Sequence, residues 1–138
     1  MRVSQRLDYT LRMLVALARL PEGTWAASGE LARALGMPRR FGEQQMTALA
    51  KTGLVTCKRG AAGGCALMRP AGEVTVLDVV RAVQGDALDV PHASTSATSA
   101  MWTDVARTLG ERLASTTLAD LAREQADIDA TAETMYFI

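Results

Sequence analysis

Cysteine and histidine are scarce in this sequence: Cys57, Cys65 and His92 are all that its 138 residues contain. Two cysteines are too few for a disulfide framework. Their spacing is not that of a structural zinc site, and a single histidine cannot complete one, so no metal ligands are assigned. There is also no glycine-rich phosphate loop and no nucleophile paired with a base, so an enzyme is not expected. No apolar run approaches the ~20 residues needed to cross a bilayer. The opening MRVSQRLDYT lacks the charged head, apolar stretch and cleavage site of a signal peptide. A cytoplasmic protein with no membrane partner is the expectation.

What is present is an unequal distribution of charge. The formal net charge is zero, yet residues 1–70 hold eleven Lys and Arg against four Asp and Glu, while residues 71–138 hold four against eleven. One part of the chain is basic by seven charges and the other acidic by seven. A basic half suits a polyanionic partner, because each phosphate it neutralises releases a condensed counterion.

The hydrophobic pattern predicts mostly helices. Residues 3–20 repeat apolar side chains at three- and four-residue steps, with Leu7, Leu11, Leu14, Val15 and Ala18 inward and Ser4 as a cap. SGELARALG predicts a second helix capped by Ser28 and stopped by Gly36. After a tight link, PRRFGEQQMTALAKTG predicts a third, with Phe41, Met46, Leu49 and Ala50 inward and Gly53 at its end. Gly42 lies inside it at a cost of about 1 kcal/mol relative to Ala, which points to close approach of another backbone. The period then falls from near 3.6 to near 2: LVTCKR and CALMRP form a hairpin around GAAGG. Thr75 caps a further helix with Leu77, Val80 and Val83 inward. A polar loop is expected over 86–100, then an amphipathic helix from about 101 to 114. A short helix capped by Ser115 or Thr116 and an acidic tail follow, the tail docking through Tyr136 to Ile138 or staying disordered. The fold class is thus mainly α, a winged helix-turn-helix with a two-stranded β wing and a long C-terminal dimerisation helix. Residues 1–85 form the DNA-binding domain, 86–100 a loop that is either effector-binding or vestigial, and 101–138 the dimerisation helix, short following helix and tail.

In such a fold the N-terminal end of the third helix enters the major groove. Arg39, Arg40, Glu43 and Gln44 fall on its outward side. Arg can fork onto guanine, Gln can pair with adenine and Glu can accept from cytosine. Glu43 either reads a base or pairs with Arg39 or Arg40. At the wing, Gly60 and Gly63 let the backbone approach the duplex, Lys58 adds charge, and Arg59 can enter a minor groove. Arg2, Arg6 and Lys51 read as phosphate contacts that position without specifying. Cys57 and Cys65 face each other across the hairpin if the register sets them opposite. They are then either two small strand residues or a redox pair.

The opening MRVSQRLDYTLRMLVALA, the segment ELARALGMPRRFGEQQMTALAKTGLV, the wing RGAAGG and VTVLDVVRAVQG together resemble the bacterial winged-helix regulators that include IscR, NsrR and CymR. The similarity covers residues 1 to about 86 and resumes at Trp102 and TLADL. The resemblance implies a homodimer on a palindromic operator, base reading by Glu43 and Gln44, and Arg59 in the minor groove. It also implies a dimer seam on the helix from about 101 to 114, where Trp102, Val105, Leu109 and Leu113 share a face. Many members of that family hold an iron–sulfur cluster through cysteines before this helix. Residues 86–101 here contain none, with Ser96 and Ser99 near the ligand positions, and serine is a poor substitute for thiolate. Asp8, His92 and one cysteine are the residual candidates for such a cluster, and no cofactor is expected. The function expected is a cluster-independent, sequence-specific regulator of transcription acting on double-stranded DNA, a repressor by preference; repression or activation depends on where the operator sits relative to a promoter. Its effector, a small molecule or a partner protein, is not named by the sequence. Two alternatives accompany this reading: redox response through Cys57 and Cys65, and a winged-helix interaction module without DNA binding.

Overall fold

Ser4 accepts a hydrogen bond from the backbone N–H of Leu7 at 3.1 Å, and from this cap helix α1 (Gln5–Ala18) begins. The computed structural model describes residues 1–90 and 95–136. His92, Phe137 and Ile138 lie outside the described residues. Helix α1 buries Leu7, Thr10, Met13, Leu14 and Leu17, whereas Leu11, Val15 and Ala18 are only partly covered. The inward stripe is therefore rotated from the one expected, because Thr10 occupies a core position that a purely apolar reading passes over.

Helix α2 (Ser28–Ala34) starts one residue earlier than expected: Ala27, not Ser28, is its cap, and no side chain caps it. The cause is tertiary. Ala26 exchanges two backbone hydrogen bonds with Cys65 (3.0 and 2.7 Å), which holds the approach to the helix in extended conformation. Helix α3 (Arg39–Thr52) follows Pro38 and ends at Gly53, whose φ of 81° is the left-handed C-terminal stop. Strands β1 (Val55–Lys58) and β2 (Gly64–Leu67) pair antiparallel, with Val55 opposite Leu67 and Cys57 opposite Cys65. Thr75 and Asp78 form a reciprocal capping box at α4 (Val76–Gln84). Val79 and Val80 are its buried residues; Leu77 and Val83, expected inside, are half-buried.

Two C-terminal expectations are corrected. Helix α5 (Ala97–Ala114) begins before residue 101, because Ser96 caps it by accepting from the Ser99 N–H at 3.1 Å, so the preceding connection is shorter than 86–100. The short helix and tail are instead one 19-residue helix, α6 (Leu118–Tyr136). Its cap is neither Ser115 nor Thr116 but Thr117, in a second reciprocal box with Asp120. The backbone N–H of Thr117 holds the Asp120 carboxyl below the usual carboxylate range. Helix α6 persists because it has a surface to lie on: it packs along α1, where Arg19 meets Asp129 at 2.7 Å. Hydrogen bonds from Gln125 and Arg19 lower the Asp129 carboxyl as well.

One core joins both ends of the chain. Met13, Leu14, Met46, Val55, Val74, Val79, Val80 and Leu118 are all fully buried, each contributing roughly 1.5–3 kcal/mol of transfer free energy. Leu118 enters through paired backbone bonds between the segments at Val74–Val76 and Thr116–Leu118, each 2.9 Å. The hydrophobic core is therefore not confined to residues 1–85.

Candidate nucleic-acid interface

The α2–α3 unit is held together at Gly42. A Cβ added there would sit 2.5 Å from the Ala32 Cβ and 2.8 Å from the Ser28 carbonyl oxygen, so the helices cross where a side chain is missing. This is the close approach that the sequence hinted at. It presses α3 inward through Gly42, Met46 and Leu49 and turns Arg39, Arg40, Glu43 and Gln44 outward. All four are exposed. Arg39 pairs with Glu30 of α2 at 3.5 Å rather than with Glu43. The side chains of Arg40, Glu43 and Gln44 take part in no hydrogen bond or ion pair among the described residues. They are available to a groove.

The wing stands beside this surface. Arg59 is exposed at its tip, and the Lys58 ammonium lies over the Trp25 ring, 4.3 Å from its centroid. Gly60 and Gly63 close the tip through a backbone hydrogen bond of 2.9 Å. A side chain at Gly63 would collide with the Lys58 carbonyl, so the absence of a Cβ there serves the turn itself. Cys57 and Cys65 are joined in a disulfide.

The positions read as phosphate contacts divide. Lys51 is exposed in the last turn of α3, and Arg2 is exposed before α1. The Arg6 guanidinium is instead committed within the chain, donating to Gln45 on α3 and to the Val83 carbonyl at 3.2 Å each. It ties the first, third and fourth helices together. Asp8 pairs with Arg12 at 3.1 Å.

Helix α5 presents an apolar face to solvent. Met101, Trp102 and Val105 are 47%, 44% and 43% exposed, with Leu109 half-buried at the edge. Leu113, which shares the helical face, packs against the core of its own chain. Reading the sequence missed Met101 on this face, Glu30 as the partner of Arg39, and Trp25 as the support for Lys58. A tryptophan in a short polar connection next to a basic hairpin was the signal available for the last.

Comparison with known proteins agrees with this geometry. A family model described as Rrf2, iron-dependent transcriptional regulator, matches residues 3–124. A Mycobacterium tuberculosis protein named as an HTH-type transcriptional regulator is 34% identical over 131 residues, covering 88% of this chain and 81% of its own. The structure of CymR, the global cysteine regulator of B. subtilis, superposes with a TM-score of 0.78 at 27% identity, over 90% of this chain and 98% of that one. T. potens IscR gives a TM-score of 0.75 at 30% identity, over 91% and 88%. These proteins are regulators rather than enzymes, and no helix among the described residues is long and apolar enough to cross a membrane. With a family match spanning nearly the whole chain and a winged helix-turn-helix whose recognition helix is turned to solvent, this protein belongs to the Rrf2 family of transcription regulators.

Proposed function

We propose that the protein is a homodimeric, sequence-specific repressor that binds an inverted-repeat operator through α3 and the wing. The observation that carries this reading is the joint exposure of Arg40, Glu43 and Gln44 on the N-terminal half of α3 beside an exposed Arg59 on the wing. Side chains capable of reading base edges are then free at the place where a major groove would lie, and a guanidinium is free where the flanking minor groove would follow. The exposed α5 face supports a two-fold pairing of chains, which matches the two-fold symmetry of an inverted repeat.

The donor set does not fit an iron–sulfur cluster. Cluster ligation needs several thiolates, but the only two cysteines are bonded to each other on the wing. Among the described residues, no three His, Cys, Asp or Glu side chains gather to hold a metal ion. Asp8, the residual ligand candidate of the first helix, is paired with Arg12. Regulation here is cluster-independent in this reading.

The test is selection of duplexes from a randomised pool, followed by affinity measurement at fixed salt. An enriched inverted repeat with half-sites about one helical turn apart is expected; no enrichment would favour an interaction module instead. On the selected duplex, Gln44→Ala should relax preference at one base pair by roughly 1–3 kcal/mol. A uniform loss over all sequences would reassign Gln44 to the backbone. Arg59→Ala should weaken binding, most at A·T-rich flanks, and lower the salt slope by about one ion. Unchanged affinity at matched salt would remove the wing tip from the contact surface.

A further inference from the structure

We infer that Cys57 and Cys65 form a reversible dithiol–disulfide couple, a modification site for low-molecular-weight thiols and disulfides that governs how firmly the wing presents Arg59. The consequence for DNA rests on the function proposed above; the chemistry does not.

The strand register places Cys57 directly opposite Cys65, with Cα atoms 4.1 Å apart and the sulfurs bonded. A slip of one residue would send the two side chains to opposite faces. Their pair is the last before Lys58 and Gly64, which flank the tip. The two sulfurs differ in access. Cys65 is only 5% exposed, on a strand bonded to β1 on one side and to Ala26 on the other. Cys57 is exposed on the outer strand. An incoming thiolate therefore reaches Cys57.

The surroundings favour an anionic reagent. Both cysteines line an open groove of about 620 Å³ between the wing and α3, together with Arg39, Lys51 and Lys58 and a single carboxylate, Glu43. Three cations against one acid attract a negatively charged thiol to the site. In the reductive direction a small thiolate attacks the Cys57 sulfur, and the electrons of the disulfide bond leave with Cys65. The Cys65 thiolate then takes up a proton from solvent and becomes a thiol. A second small thiolate then attacks the outer sulfur of the mixed disulfide and releases Cys57. One protein disulfide and two small thiols give two protein thiols and one small disulfide, a two-electron exchange that the small disulfide reverses.

Strand β2 is pinned to Ala26, whereas the outer end of β1 is an edge, held among the described residues by β2, by this bond and by the Lys58 ammonium over the Trp25 ring. Opening the bond lets Lys58 and Arg59 fray with the tip. Their ordering must then be supplied when DNA binds.

The experiment equilibrates the full-length protein in mixtures of reduced and oxidised glutathione. Trapped thiols are read by alkylation and mass spectrometry, with tryptic cleavage after Lys58 and Arg59 and anisotropy on the selected duplex measured in parallel. The two thiols should appear together in one two-electron step. In Cys65→Ser a glutathione adduct should accumulate on Cys57, while Cys65 in Cys57→Ser should resist it. The reduced protein should be cut faster at the tip and bind DNA up to about tenfold more weakly. A bond that persists in millimolar reduced glutathione, equal adduct formation at the two cysteines, or cleavage and affinity indifferent to redox state would each overturn the inference. A couple that titrates and changes cleavage while neither form binds DNA would support the site and sink the DNA-binding reading.

Discussion

Changing Trp102 and Val105 together to aspartate is expected to leave a folded monomer whose operator affinity is at least about a hundredfold below the parent. Both side chains are exposed within the single chain, so their loss opens no cavity and removes no core contact. What they cover is proposed to be the same face of a second chain. A two-fold interface contains each residue twice, so a double substitution deletes four apolar side chains and sets four carboxylates against one another. Burying a Trp or Val side chain is worth roughly 1.5–3 kcal/mol, and an unpaired buried carboxylate costs more than that. Binding to an inverted repeat depends on linking two half-site contacts, and that linkage typically adds 10²–10⁴ in affinity. Light scattering gives the mass, circular dichroism the fold, and anisotropy the affinity. A dimer that survives the substitution would place the seam elsewhere than the Met101–Trp102–Val105 face.

Gly42→Ala is expected to destabilise the protein even though alanine is the better helix former. Propensity alone predicts a gain of about 1 kcal/mol. Against it stands a Cβ that would lie 2.5 Å from the Ala32 Cβ and 2.8 Å from the Ser28 carbonyl oxygen, with the Met13 methyl at 3.2 Å. Carbon atoms pack at ~3.5–4.0 Å. The flexible Met13 end can yield, but Ala32 and the Ser28 backbone can move only if α2 and α3 separate. Overpacking of this kind costs about 1–3 kcal/mol, which outweighs the propensity gain. A fall of several degrees in Tm is expected, and operator affinity should fall with it, because the α2–α3 crossing sets the pose of Arg40, Glu43 and Gln44. A Tm equal to or above the parent in thermal unfolding would show that the helices are free to part.

These two predictions draw on different kinds of information. Trp102 and Val105 were legible in the sequence because an apolar stripe on a helix shows itself by its spacing. Gly42 was legible only as a residue out of place, since its neighbours belong to another helix. The same division runs through the candidate interface. The outward set Arg39, Arg40, Glu43 and Gln44 followed from the phase of α3, and phase is a local property. The engagement of Arg6 with Gln45 and Val83, and of Arg39 with Glu30, required knowing which helices meet.

By itself the sequence determined the element order through the wing, the caps at Ser4 and Thr75, the turn at Gly53, the segregation of charge and the scarcity of thiolate ligands. Each depends on residues within a few positions of one another, or on composition, so no partner segment is needed to see it. Only the tertiary structure decided that Ala27 rather than Ser28 caps α2, that α6 runs for 19 residues, that Leu118 completes the core and that Cys57 stands opposite Cys65. Those outcomes depend on what a segment lies against: Ala26 on Cys65, α6 on α1, Thr117 on Thr75. The acidic second half of α6, residues 126–136, has too weak a periodicity to declare itself a helix. It becomes one because α1 covers one side of the helix that it continues.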